Sequence, residues 1–469
     1  MLNQMLYNGQ YVSGLGSEID VVNPATLDTI TTFKSATPKQ LDDAVKASFD
    51  SFNLWKNISD VELKFILARI GQDIKAARDE IAELITLEQG KPLELAKLEV
   101  DMGIYWLEVT NSFEIPIKEN KDSLGKKIKV YHHPIGVVAS ITPWNWPFMI
   151  AIWHIIPALK AKNCVINKPS EYTPLSTIRL IDIINKYIPK GVCNIVLGDG
   201  EIGSNLSNHP LIEKVIFTGS TPTGQKILAS SVEQFRQVTL ELGGNDVAIV
   251  LEDVDIDKIA PKIFASAFFN SGQTCACIKR LYVHDQVYEG LVKKLVEIAD
   301  SQIIGNGFDK MTTLGPVQNI KQYQKLKILI EKAIKNGAHI ENTRKLILPD
   351  TGYFLPPLIL TNVLESSEIF TTEQFGPVLP IVKFSSIEDV INNSNHSSYA
   401  LGGSIWTEDI NKAEKIANQM QSGTVWINSH SDVSPYAEFG GWKMSGIGST
   451  FGLDGLLQFT KRQSIHLSE

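Results

Sequence analysis

Cys275 is the residue in this chain best placed to do chemistry. It stands in Phe268-Phe269-Asn270-Ser271-Gly272-Gln273-Thr274-Cys275-Ala276-Cys277, just past an apolar helical run and in a polar loop that carries a glycine. A cysteine acts as a nucleophile through its thiolate. Taken alone, the residue is as well explained as a buried structural cysteine, which is the commoner case. A second loop offers Glu241 in Leu240-Glu241-Leu242-Gly243-Gly244. A carboxyl in mostly apolar surroundings has a raised pKa and can serve as a general base. Asn145 lies between Trp144 and Trp146, just before Pro147. Its amide can donate to a developing oxyanion, or it can simply cap the helix that Pro147 opens. The Cys-x-Cys pair also raises the question of a metal. No second Cys/His pair stands at ligand spacing, so no metal site is expected.

Two further stretches could hold a nucleotide. Gly219-Ser220-Thr221-Pro222-Thr223-Gly224 follows a predicted strand and opens a helix. The free N–H groups and dipole of such a helix start suit a pyrophosphate. The stretch is not the G-x-G-x-x-G fingerprint, and an ordinary capped helix reads the same way. Lys168 and Glu171 follow another predicted strand. They can grip ribose hydroxyls, or they can be a solvated loop pair. A free carboxylate there disfavours a 2′-phosphate, which favours NAD over NADP.

These residues need elements to hold them. Met5 to Val22 alternates apolar and polar residues around Asn8-Gly9, a hairpin signal. Thr37-Pro38-Lys39-Gln40 and Ser59-Asp60-Val61-Glu62 read as capping boxes that open helices, and a further helix ends at Gly90 with Pro92 just beyond. This helical layer offers no chemistry. From Gly136 onward, predicted strands at 136–141, 164–167, 193–197, 214–217 and 237–240 alternate with helices at 147–160, 173–187 and 222–231. That is the pattern of a parallel α/β sheet with helices on both faces. Such sheets bind ligands beyond the carboxyl ends of their strands, where Asn145, Lys168, Ser220 and Glu241 all fall. A second α/β unit begins near Val247 and contains the cysteine loop, with Cys277 entering its next buried strand. Cys164 and Cys193 lie inside strands and read as core. Residues 126–133 and 455–467 alternate like exposed strands.

The 469 residues, 43% hydrophobic and 20% charged, suit two or three globular domains. A net charge of −8 speaks against a nucleic-acid partner. Pro147 to Leu159 is the longest apolar stretch, contains His154, and is too short to span a bilayer. Met1 to Gly14 has no basic segment followed by an apolar core, so no signal peptide is read there. Four cysteines in so long a chain fit a reducing compartment. A cytoplasmic enzyme with no membrane partner is expected.

Together the motifs resemble the NAD(P)-dependent aldehyde dehydrogenase superfamily over roughly Ile19 to Ile465. They are, in order, Thr142-Pro143-Trp144-Asn145, Asn167-Lys168-Pro169-Ser170-Glu171, Phe217-Thr218-Gly219-Ser220, Leu240-Glu241-Leu242-Gly243-Gly244 and Phe269-Asn270-x-Gly272-Gln273-x-Cys275. Glu373-Gln374-Phe375-Gly376-Pro377, Gly423-Thr424-Val425-Trp426-Ile427-Asn428 and Gly440-Gly441 with Lys443-x-Ser445-Gly446 close the series. The resemblance implies that Cys275 attacks the aldehyde, Asn145 and the Cys275 N–H hold the oxyanion, and Glu241 activates the hydrolytic water. It implies cofactor contacts from Trp144, Lys168, Ser170, Glu171, Gly219, Ser220, Leu242, Glu373 and Phe375. It also implies a substrate tunnel lined by Trp146, Met149, Ile150, Trp153, Thr274, Ala276, Val433 and Phe439. The tunnel is apolar and aromatic, and Trp153 stands where relatives acting on hydroxy- or carboxy-aldehydes often carry an arginine. An aliphatic or aromatic aldehyde is expected, with betaine aldehyde still open because aromatic rings can enclose a quaternary ammonium. The sequence departs from the family at Asn245, where lysine is usual, and at Glu438, where proline is usual.

The implied fold is α/β: two doubly wound parallel-sheet domains plus a small β oligomerisation unit. Residues 1–115 and 135–242 would form the nucleotide-binding domain, 243–445 the catalytic domain, and 116–134 with 446–469 the bridging unit. Edge pairing of that unit would give a homodimer or homotetramer. Transfer of the acyl group to coenzyme A, and a cofactor-binding role without catalysis, are the alternatives. The first typically lacks the glutamate present here as Glu241, and the second leaves Cys275, Glu241, Asn145 and Lys168 unexplained.

Overall fold

The computed structural model describes residues 2–467. Its first sheet has eight strands in the order Gln10–Val12, Met5–Tyr7, Cys193–Ile195, Cys164–Lys168, Val137–Ile141, Lys214–Thr218, Gln237–Glu241 and Gly446–Ile447. The five central strands are parallel. Val137, Val138, Ala139, Val165, Ile166, Val215 and Ile216 are almost wholly buried, because helices cover both faces, as a parallel sheet requires. Val137–Ile141 is flanked on one side by Cys164–Lys168 and on the other by Lys214–Thr218. Strand order therefore reverses there, and a crevice opens at the strands' carboxyl ends.

The second sheet has seven strands: His339–Ile340, Leu358–Thr361, Val378–Phe384, Ile278–His284, Asp246–Val250, Gly402–Trp406 and Thr424–Ile427. All but the first pair in parallel. A third, antiparallel sheet joins Lys118–Lys121, Lys127–Pro134 and Thr460–Leu467. The eight-residue register from Thr460↔Pro134 to Leu467↔Lys127 ties the two distant exposed segments into one ribbon.

Local chemistry accounts for most boundaries. Asn8 and Gly9 turn the first hairpin with φ of 50° and 70°, the conformation of a two-residue I′ turn. Thr37 and Gln40 form both bonds of a capping box, and Ser59 accepts from the Glu62 N–H. Three expectations change. The helix expected to reach Tyr187 runs only over Leu175–Ile184, because the Asn185 amide donates back to the Ile181 carbonyl and on to the Cys193 carbonyl, diverting the chain into the next strand. The tail that alternates from Gly455 begins with a helix, Gly452–Leu457, whose Leu456 is drawn into the core of the first sheet. Glu241 is the last residue of a strand rather than a loop residue, paired with Thr218 on one side and Gly446 on the other. Ile447 in turn pairs with Leu240, so the chain runs along the first sheet before it reaches the ribbon at Thr460. Among the described residues no helix is long and apolar enough to cross a membrane.

Candidate active site

Past the carboxyl ends of the first sheet lies a cleft of about 180 Å³. Eight of the residues singled out in the sequence line it together: Trp144, Asn145, Gly219, Ser220, Leu242, Cys275, Glu373 and Phe375. Cys275 is half-buried, with its thiol reaching this space. The loop that carries it is wound tightly. Asn270, Ser271 and Gly272 have φ of 52°, 56° and 73°, three left-handed residues in succession. Such a run costs energy, and side chains hold it in place. The Ser271 hydroxyl donates to the Gly315 carbonyl at 2.8 Å, the Gln273 amide to the Asn270 and Pro316 carbonyls, and the Lys279 ammonium to the Gly272 carbonyl. A Cβ on Gly272 would meet the Gly376 carbonyl oxygen at 2.2 Å. The cysteine loop is thus pressed directly on the segment that bears Glu373 and Phe375.

Asn145 is buried and faces that loop. Its amide nitrogen donates one hydrogen to the Gln273 carbonyl at 2.9 Å, and an amide carries two. Trp146 donates from Nε1 to the Thr274 hydroxyl at 2.9 Å. The turn before the Pro147–Lys160 helix is therefore stitched to Gln273 and Thr274, the two residues before Cys275. Glu241 is 7% exposed, and neither carboxyl oxygen has a hydrogen-bond partner. Burial pushes its pKa well up, opposed by the nearby Thr450 hydroxyl, which itself donates to the Phe439 carbonyl. Burial also pushes the Cys275 thiol up, and the charges of Glu373, Asp246 and Glu241 add to it.

The cofactor set divides in two. Ser220 heads the Thr221–Val232 helix, but its hydroxyl pairs with Thr223 Oγ1 at 2.9 Å and caps no backbone group. Pro222 has no N–H and the Thr223 N–H bonds the Ser220 carbonyl at 3.1 Å, so the Thr221 N–H and the positive end of the helix dipole are what the helix start offers beside Gly219 and the cleft, which suits a pyrophosphate. Across the cleft Glu373 accepts from the Gly244 N–H at 3.0 Å, and Trp144 meets Phe375 edge-on at 5.3 Å. Lys168, Ser170 and Glu171 stand apart from this lining; Lys168 ends the Cys164–Lys168 strand, one residue beyond the expected 164–167, and Ser170 and Glu171 follow it. Lys168 is buried, donates to the Pro169 carbonyl at 3.0 Å, and has Glu171 Oε2 at 3.6 Å. Burial lowers the lysine pKa, and Glu171 opposes that. A helix start, a lysine donor and carboxylate acceptors together fit a dinucleotide.

Seven of the eight residues expected to line the tunnel, all but Thr274, fall into two apolar groups, the second of which includes Cys275. Trp146, Met149 and Ile150 pack with Trp153 and Phe269. Ala276 and Phe439 pack with Cys275, Val433 and Phe451. The sequence reading missed Phe451 and Trp106. Phe451 has φ of 64° and lies 4.6 Å from Trp153, 5.4 Å from Trp106 and 5.9 Å from Phe439. It directly follows the glycine-rich 440–448 stretch, a signal that marks the segment but not the direction of the ring. Cys277 is buried one residue before the strand it was expected to join. His154 was also passed over. It bridges Ser140 Oγ at 3.1 Å and Thr218 Oγ1 at 2.9 Å, and burial drives its pKa down to about 3. A neutral imidazole therefore fixes Thr218, part of the cleft wall. No group of three or more His, Cys, Asp or Glu residues that could hold a metal occurs among the described residues.

The aldehyde dehydrogenase family model matches residues 11–465. This chain belongs to the aldehyde dehydrogenase family. It is 35% identical to phenylacetaldehyde dehydrogenase of Pseudomonas fluorescens over 481 residues, covering 99% of this chain and 95% of that one. It is 37% identical to aldehyde dehydrogenase (NAD(P)+) 1 of Saccharomyces cerevisiae over 474 residues, covering 97% and 92%. Betaine aldehyde dehydrogenase from Staphylococcus aureus, solved in complex with NAD+, superposes with a TM-score of 0.94 at 30% identity, covering 99% of this chain and 94% of that one. The chain has the aldehyde dehydrogenase fold and is an NAD(P)-dependent oxidoreductase acting on aldehydes.

Proposed function

We propose that this aldehyde dehydrogenase oxidises an apolar aliphatic or aromatic aldehyde to its carboxylic acid by a hydrolytic route. The observation that carries this reading is the convergence of Cys275 and Asn145 on one cleft, with the buried, unpartnered Glu241 paired in register with Thr218 and followed by Leu242, both of which line it. The Cys275 thiol passes its proton to solvent water, the sulfur bonds to the aldehyde carbon, and the carbonyl pair moves onto oxygen. The free hydrogen on the Asn145 amide and the Cys275 N–H hold that oxygen, a contact worth more in a dry site than in water. Bound NAD would supply the hydride acceptor that lets the adduct become a thioester on Cys275. Glu241, once ionised, takes a proton from water as the water attacks the thioester carbon, and Cys275 leaves as thiolate with release of the acid. Thiols and buried carboxyls of raised pKa call for a base-favoured reaction, so turnover rises with pH.

Lys168 and Glu171 hold the adenosine ribose, Ser170, Gly219 and Ser220 border the pyrophosphate, and Glu373 holds the nicotinamide ribose, with Trp144, Leu242 and Phe375 packing around it. The Glu171 carboxylate favours NAD, while NADP remains usable. The aromatic rings of Trp153, Phe439, Phe451 and Trp106 favour a flat or aliphatic tail, and the similarity to a phenylacetaldehyde dehydrogenase supports this choice. The antiparallel ribbon, with Thr460–Leu467 largely exposed, supports assembly into a dimer or tetramer. Reduced cofactor should form on mixing with phenylacetaldehyde or hexanal and NAD, and Cys275→Ala should abolish it. Retention of the rate in that variant would remove the nucleophile from the scheme. Added coenzyme A should yield no thioester product, and a coenzyme A thioester would favour the acylating alternative.

A further inference from the structure

The oxyanion side of the site is braced by an ion pair from the helical layer in which the sequence reading found no chemistry. Lys91 and Glu99 are both fully buried, with Lys91 Nζ 2.6 Å from Glu99 Oε2. Lys91 follows the left-handed Gly90 that ends the Arg78–Gln89 helix, and Glu99 lies in the Leu93–Ser112 helix. Lys91 Nζ makes two further contacts, both with the turn that carries Asn145. It donates to the Asn145 carbonyl at 2.9 Å, and it sits 3.6 Å from the centroid of the Trp146 ring. The other Glu99 oxygen accepts from the Phe148 and Met149 N–H groups at 3.0 and 3.1 Å. Those are orphan donors of the Pro147–Lys160 helix, which has no side-chain cap of its own.

One charge pair therefore holds the carbonyl, the following ring and the next two N–H groups of one short turn. The same turn meets the cysteine loop three times. The Asn270 amide donates to the Asn145 carbonyl at 3.0 Å, the Asn145 amide to the Gln273 carbonyl, and Trp146 to Thr274. A buried ion pair is weak evidence for stability, since apolar residues of equal volume often serve as well. Its geometry here is spent on a turn that faces Cys275. Burial pulls the Lys91 pKa down to about 8, with Glu99 opposing, so the ammonium is kept by these partners rather than by solvent.

We infer that Lys91 is a positioning residue: through the Asn145 carbonyl and the Trp146 ring, with Glu99 as its counter-charge, it sets the Asn145 amide at the distance the oxyanion needs. The inference rests on the proposed oxyanion role of Asn145. The experiment is stopped-flow measurement of the first turnover of reduced cofactor, with thermal unfolding and steady-state KM for NAD on the same samples. The variants are Lys91→Met, the charge-balanced Lys91→Met/Glu99→Gln, Asn145→Ala, and Asn145→Ala with Lys91→Met. A misplacement of about 1 Å costs roughly 10- to 100-fold in rate, and that loss is expected in both Lys91 variants, with KM for NAD little changed. Adding Lys91→Met to Asn145→Ala should slow the burst no further, because the group it positions is gone. A folded charge-balanced variant with the parental burst rate would overturn the inference, as would losses that simply add. Where Lys91→Met does not fold, the charge-balanced variant carries the test. A parental burst in Asn145→Ala would instead overturn the oxyanion reading, whatever the Lys91 variants do.

Discussion

Glu241 bears the largest unrelieved electrostatic cost at the site, since its carboxyl is buried with no partner for either oxygen. Its raised pKa has a stability consequence of definite sign. Between the ordinary glutamate pKa and the raised folded value, the unfolded chain has lost a proton that the folded chain keeps, so stability falls as pH rises through that window. Glu241→Gln is therefore expected to raise the melting temperature near neutral pH and to flatten its dependence on pH, as differential scanning calorimetry would read. The same variant should lose the acid limb of the steady-state rate, which in the parent lies above the usual carboxylate range. At the cofactor, Glu171→Gln should lower the NAD-over-NADP preference in kcat/KM by roughly tenfold, the effect of removing one charge facing a 2′-phosphate. Short motifs of unusual composition marked out Cys275 and Asn145, which the fold brings to one cleft, and Glu241, which it buries at the end of a neighbouring strand. Phe451, Trp106 and His154 were not, because their roles follow from which way a side chain points after distant segments meet.

At the scale of elements, the cysteine loop is the strained part, and its strain is offset by its neighbours. Gly272 has φ of 73° and no room for a Cβ against Gly376. Gly272→Ala should cost on the order of 1–3 kcal/mol in chemical denaturation and slow the first turnover, because the displaced segments carry Cys275 and Glu373. Unchanged stability would mean that the loop is not so constrained. The parallel sheet was legible in its short apolar runs, and the helix starts in their caps, as at Thr37. What sequence could not convey is that Leu93–Ser112, which looks like an ordinary covering helix, reaches across with Glu99 to cap another helix. A glutamate that caps a helix far along the chain leaves no local pattern. The strand end at Glu241 was placed one residue short for a related reason. Its pairing partner, Gly446, comes some two hundred residues later.

At the scale of the whole molecule, two sheets converge on one cleft, and a ribbon joins residues 127–134 to residues 460–467. Exposed alternation made both ribbon strands legible, whereas their pairing with each other was implied only by resemblance. Light scattering on the purified protein should give the mass of a dimer or tetramer, and Ser464→Pro, which removes a backbone donor opposite Val130, should shift it downward. A monomeric parent would contradict the assembly. The central claim is that Cys275 carries the substrate as a thioester which Glu241 discharges. It is tested most directly by intact-protein and peptide mass spectrometry of Glu241→Gln after brief reaction with aldehyde and NAD. An increase equal to the acyl group, located on the peptide containing Cys275 and accompanied by a burst of about one reduced cofactor per active site, is the predicted result. An unmodified Cys275 in a variant that still turns over at the parental rate would contradict it.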